Sequence, residues 1–142
     1  MSDLVTPNDL KRIADEIEAR KARETIEKLR KLEADQDELH RAFLERDIRA
    51  DVKERVSSAV RRAAENGQHE IQALKFPAAW TSDRGRRINN GEQDWPASLE
   101  GFAKRSYDFY LKELQPVGYK VRAEVLSYNE GVPGEIAIYL GW

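Results

Sequence analysis

From Asn8 to Asn66 the chain runs 59 residues without a glycine or a proline. A stretch that long with neither breaker has the helix as its natural regular structure, and its two ends are punctuated as helix ends. Thr6-Pro7-Asn8-Asp9 places a capping hydroxyl, a proline at the first helical position and a carboxylate in the first turn, where orphan N–H groups and the positive end of the dipole sit. Asn66-Gly67 supplies the residue best suited to a left-handed helix stop. Between these ends stand 15 Lys or Arg and 15 Asp or Glu. Many lie four apart with the acid first, as in Glu16/Arg20, Glu24/Lys28, Glu27/Lys31, Asp37/Arg41, Glu45/Arg49 and Asp51/Arg55. That is the favoured order, at about 0.2–0.5 kcal/mol a pair.

The apolar positions say how the helix is used. Leu10, Ile13 and Ile17 share a face; Ala22, Ile26 and Leu29 form a second set out of register with the first; Leu39 and Phe43 follow. Leu44, Ile48, Val52, Val56, Val60 and Ala63 then run as one stripe. No strict heptad spans the whole, which disfavours one long zipper. Ala34-Asp35-Gln36-Asp37-Glu38 is poor in apolar residues and is the expected place for a bend or a tight helical hairpin, near Asp35. A straight helix of this length would reach roughly 90 Å, whereas a compact domain built from the remainder has a radius of gyration of about 11–12 Å. One small domain cannot cover such a face, and an amphipathic helix left bare is marginal in water. The reading is an oligomerisation or docking arm over 1–66, using Leu10, Ile13, Ile17, Ile26, Leu29, Leu39 and Phe43.

After Gly67 the period changes. His69 to Phe76 carries branched and aromatic residues and stops at Pro77, which predicts a strand. Ser98 to Leu114 predicts a helix with Leu99, Phe102, Ala103, Ser106, Tyr110 and Leu114 on one face, and Gly101 in its first turn implies close packing or a ragged start. Tyr119, Val121, Ala123 and Val125, then Ile136, Ile138, Leu140 and Trp142, alternate with mostly polar or small residues around Asn129-Glu130-Gly131-Val132-Pro133-Gly134. That is an antiparallel hairpin with one apolar face, with Trp142 expected to plug the core. The fold class is therefore α+β: a long N-terminal helical arm, one bent helix or a helical hairpin, followed over 67–142 by a small β-α-β-β domain. Its three-stranded sheet is mainly antiparallel, and a long loop spans 77–97.

Composition narrows the function classes. A net charge of −2 argues against a protein that coats nucleic acid. The absence of cysteine excludes thiolate chemistry and disulfides. No 18-residue apolar run occurs and Met1 to Thr6 lacks a secretory pattern, so a soluble, cytoplasmic protein is expected. His40 and His69 stand apart from any cluster with metal-ligand spacing, so no metal and no cofactor are expected. The serines lack an elbow or a triad arrangement, and no phosphate loop is present.

The loop 77–97 is the place where function can sit, because structureless loops beyond about 12–15 residues are uncommon. Trp80, Arg84, Arg86, Arg87, Asn90 and Trp95 form a candidate partner-binding set, with guanidinium groups for an acidic partner and indoles for stacking. A purely local reading has Asp83, Glu92 and Asp94 neutralising the arginines while the tryptophans close the core edge. The expected function is a non-enzymatic structural or adaptor protein. It self-associates or docks through its N-terminal helices and offers the α+β domain to a protein partner. The alternative is a nucleic-acid-associated protein using the arginine-rich loop 84–87, joined by Lys104 and Arg105. A third possibility, a small enzyme using Asp83, Asp94, His69 or Tyr128, has no specific motif behind it.

Overall fold

The computed structural model describes residues 3–142. They form two compact units, the first ending at Arg41 and the second running Ala42–Trp142.

The first unit is helix. Helix α1 (Pro7–Glu45) contains no buried residue. Its start is closed reciprocally: the Asp9 backbone N–H donates to Thr6 Oγ1 at 3.2 Å, and the Thr6 N–H donates to the Asp9 carboxylate at 3.2 Å. Two orphan donors are satisfied by one Thr-x-x-Asp element. The helix runs through Asp35 without interruption, so the expected bend does not occur there. A polar stretch without Gly or Pro keeps its backbone hydrogen bonds at little cost, and polarity alone is no reason to break. The break falls instead between Glu45 and Val52. Of the six acid-first pairs, Asp51–Arg55 at 3.8 Å is the one that closes among the described residues.

The second unit begins with the last turn of α1. Helix α2 (Val52–Glu65) follows and belongs to this unit by its packing, with Val60 and Ala63 buried. It ends as the Asn-Gly pair predicts. Gly67 adopts φ +78°, its N–H donates to Ala64 O at 3.0 Å, and the Gln68 N–H donates to Ala63 O at 2.9 Å. These two crossed bonds satisfy carbonyls that the helix leaves open.

Strand β1 (Glu70–Pro77), the single turn α3 (Arg86–Asn89) and helix α4 (Gly101–Phe109) come next. Strand β2 (Lys120–Val125), a two-residue pair β3 (Tyr128–Asn129) and β4 (Val132–Pro133), and strand β5 (Glu135–Gly141) complete the chain. The sheet order is β1-β5-β2, with β5 central and antiparallel to both neighbours. Ile71, Leu74 and Phe76 sit opposite Leu140, Ile138 and Ile136, which in turn face Val121, Ala123 and Val125. The step from Ile71 to Leu74 breaks strict alternation, and a bulge between Gln72 and Leu74 restores both to the apolar face. Val60 of α2, Ile88 of α3 and Ala103 of α4 pack with the apolar face, and the opposite face is charged. There Arg122 on β2 donates to Glu70 on β1 at 2.6 and 2.9 Å, with its guanidinium 4.1 Å above the Tyr139 ring on β5.

The core has two connected parts. One gathers Phe76, Ala78, Ile88, Leu99, Ala103, Ile136 and Ile138; the other joins Val60, Tyr110 and Leu140, with Tyr107 against both. The predicted helix over 98–114 begins later, at Gly101, because Trp95–Ser98 forms a 3-10 turn, and it ends in a wider π turn over Tyr110–Leu114. Trp142 is not a core plug: its N–H donates to His69 O at 3.2 Å, but the residue is 41 % exposed.

Candidate functional site

The region 77–97 is not structureless. Pro77 ends β1, Ala78–Trp80 makes a 3-10 turn with Ala78 buried, and α3 packs Ile88 into the core. The organiser is Thr81. Its hydroxyl donates to Ala78 O at 2.8 Å and accepts from the Gly85 N–H at 2.7 Å. The Asp83 carboxylate accepts from the same N–H at 3.1 Å and from the Arg87 N–H at 3.1 Å. Gly85 is buried at φ +82°, and an added Cβ would lie 3.1 Å from Ala78 Cβ and 3.2 Å from Ile136 Cδ1. Glycine is therefore required there both by conformation and by space. The spacing Thr81-x-Asp83-x-Gly85 was a readable turn signature. Thr81 is absent from the residues singled out from sequence, and Asp83 appears there only as a partner of the arginines and as an enzyme candidate.

The candidate residues separate into three groups. Trp80 and Trp95 face inward: Trp80 stacks on Phe43 with centroids 4.8 Å apart, and Trp95 meets Tyr107 edge-on at 5.7 Å. Arg86 pairs with Glu92 at 3.0 Å, and Arg87 lies 3.6 Å from Asp83 and 3.3 Å from Asp94. Arg84 and Asn90 are exposed, and Arg84 makes no ion pair among the described residues. The loop thus offers one unbalanced guanidinium rather than three. Lys104 is exposed, and Arg105 is engaged elsewhere: its Nη1 donates to Leu44 O at 2.8 Å and Arg46 O at 2.9 Å. A nucleic-acid surface built on these arginines has most of its charge already matched, and matched charge attracts phosphate weakly.

The arm residues divide as well. Leu10, Ile13, Ile17, Ile26, Leu29 and Leu39 are between 37 % and 57 % exposed on α1. Phe43, grouped with them by spacing, is instead a core contact of the second unit, with its ring 5.4 Å from Phe76 and 4.8 Å from Trp80. The ring is half-buried and packed against the core of the second unit.

A groove of about 370 Å³ opens in the second unit between α2, α4 and the edge of β1. Its walls include Val52, Val56, Leu74, Phe102 and Phe109, and Arg46, Arg49 and Arg55 stand among its lining residues. Sequence reasoning missed it because its walls come from elements distant in the chain, brought together only by folding. Among the described residues no three His, Asp or Glu side chains converge as a metal site, and no helix is long and apolar enough to cross a membrane. Burial raises the Tyr110 hydroxyl above its ordinary pKa, and that hydroxyl is spent on a hydrogen bond to Tyr119 O at 3.0 Å. Set against protein-family models, curated proteins and solved structures, the chain matches none of them.

Proposed function

We propose that the chain is a non-enzymatic structural or adaptor protein that self-associates through α1 and presents its α+β unit to a protein partner. The observation that carries this reading is the bare apolar face of α1, a 39-residue helix with no buried residue. Ile13, Ile17, Ile26 and Leu29 are each at least one-third exposed there. A Leu or Ile side chain contributes about 1.5–3 kcal/mol when fully buried. Ile26 and Leu29 share one face, and each is about half exposed. The pair from each of two copies contributes about 3–6 kcal/mol, at the low end of the association cost of roughly 4–15 kcal/mol.

Light scattering on size-exclusion fractions of the full chain tests this. The parent is expected to run as an oligomer at micromolar concentration, and the double variant Ile26→Lys, Leu29→Lys as a smaller species. A parent chain that is monomeric across that range removes the reading.

A further inference from the structure

We infer that the groove between α2 and α4 is a docking site for the first turns of α1 from a second copy of this chain, seated through Leu10, Ile13 and Ile17. The inference rests on the self-association reading and adds a location to it.

The two apolar sets of α1 cannot be covered by one straight partner. Ile26 lies nine residues beyond Ile17 on α1, which is about two and a half helical turns, so the two side chains leave the helix on opposite sides. A partner helix along the Ile26/Leu29 face leaves Leu10, Ile13 and Ile17 in water. These three are 57 %, 48 % and 37 % exposed, and their spacing of three and four is that of a helix whose apolar face enters a groove.

The groove has the complementary character. Val52, Val56, Phe102 and Phe109 supply apolar walls, and its volume of about 370 Å³ lies within the range of sites that hold several side chains or a small ligand. The charges match in sign. Arg46, Arg49 and Arg55 are the charged residues of the lining, and the one acid bonded to them is Asp51, 3.1 Å from Arg49 and 3.8 Å from Arg55. From Asp9 to Glu18 the segment carries four acids against Lys11 and Arg12. Asp9, Glu16 and Glu18 border the Leu10–Ile17 face, and Asp15 lies opposite it. Arg12 is already paired to Asp9 at 2.8 Å, and Arg20 and Lys21 follow one turn on. An acidic amphipathic segment and a basic-rimmed apolar groove are therefore carried by the same chain. Charge of opposite sign on the rim steers encounter and selects the register in which the apolar residues enter.

The chain contains no cysteine, which makes single-cysteine variants clean probes. Full-length Ile13→Cys is mixed with a size-tagged Val56→Cys chain and oxidised; Ala59→Cys serves as a second groove position, and thermal unfolding checks that each variant folds as the parent does. The expected product is the mixed disulfide dimer, severalfold more abundant than with Ile26→Cys in place of Ile13→Cys. Its yield should fall severalfold at low salt on adding Arg49→Glu and Arg55→Glu, with the difference shrinking in high salt. Cross-linking of Ile13→Cys only to itself, or an oligomer with no groove cross-link, overturns the docking site and leaves self-association standing. An internal disulfide in a monomeric chain carrying both cysteines overturns the second copy as occupant. A monomeric parent with no cross-link overturns both.

Discussion

Arg105 on α4 donates from Nη1 to the carbonyl oxygen of Leu44 at 2.8 Å, across 61 residues of sequence. The same nitrogen reaches Arg46 O at 2.9 Å, and Nε lies 3.7 Å from Asp47. The Leu44 carbonyl in the last turn of α1 and the Arg46 carbonyl just beyond it are thus taken up by a cation. This is the physical reason the helix stops after Glu45 in a stretch whose composition would let it continue.

Arg105→Ala is expected to destabilise the second unit by about 1–2 kcal/mol, the scale of a charge-assisted hydrogen bond lost from a part-exposed site. Urea unfolding should show a lower midpoint with an unchanged slope. Lys104→Ala, one residue away and exposed, should stay within about 0.5 kcal/mol of the parent.

Gly101→Ala should cost far more than Gly67→Ala. Both glycines have positive φ, +58° and +78°, but a Cβ at 101 would lie 2.8 Å from Leu44 Cα while one at 67 meets nothing within 4 Å. Gly67→Ala is charged only for the left-handed backbone, about 1–2 kcal/mol. Gly101→Ala must also push backbone aside, so a thermal midpoint drop no larger than that of Gly67→Ala would contradict the packing described.

Phe43→Ala and Leu39→Ala separate the two uses of α1. Removing the half-buried Phe43 ring from its contacts with Phe76, Trp80 and Phe102 should destabilise by about 2–3 kcal/mol, at or below the low end for a fully buried aromatic. Leu39 is 56 % exposed, and its truncation should leave unfolding within about 0.5 kcal/mol of the parent. Chemical denaturation of the two variants side by side decides it.

Acid should weaken the outer face of the sheet. The hydrogen bond from Arg122 holds the Glu70 carboxyl below its ordinary pKa, and that from Arg49 does the same for Asp51. A carboxyl depressed in the folded state adds stability above its unfolded pKa, near 4.3 for Glu, and loses it as pH falls through the folded value. Glu70→Gln should therefore unfold at lower urea than the parent at pH 7, with the gap closing below about pH 4. A gap that stays constant down to pH 3 would deny the coupling.

Much of the architecture was legible locally. Thr6 and Asp9 close α1, Asn66-Gly67 closes α2, and the alternation from Tyr119 to Val125 and Ile136 to Leu140 sets which sheet face is buried. Each depends on residues a few positions apart, so backbone geometry and side-chain period suffice to read it. The local pairing of Arg86 and Arg87 with Glu92, Asp83 and Asp94 was open to the same reading, because all lie within one loop.

What remained for tertiary structure was everything set by partners distant in the chain. The helix break moved from Asp35 to the segment after Glu45 because Arg105 and Gly101 meet Leu44 there. Phe43, at the end of α1, packs into the second unit because Phe76 and Trp80 lie against it. The groove exists only where α2, α4 and β1 come together. Period and composition report which side chains need cover, but burial is a property of the assembled neighbours, and those are chosen by packing rather than by sequence spacing.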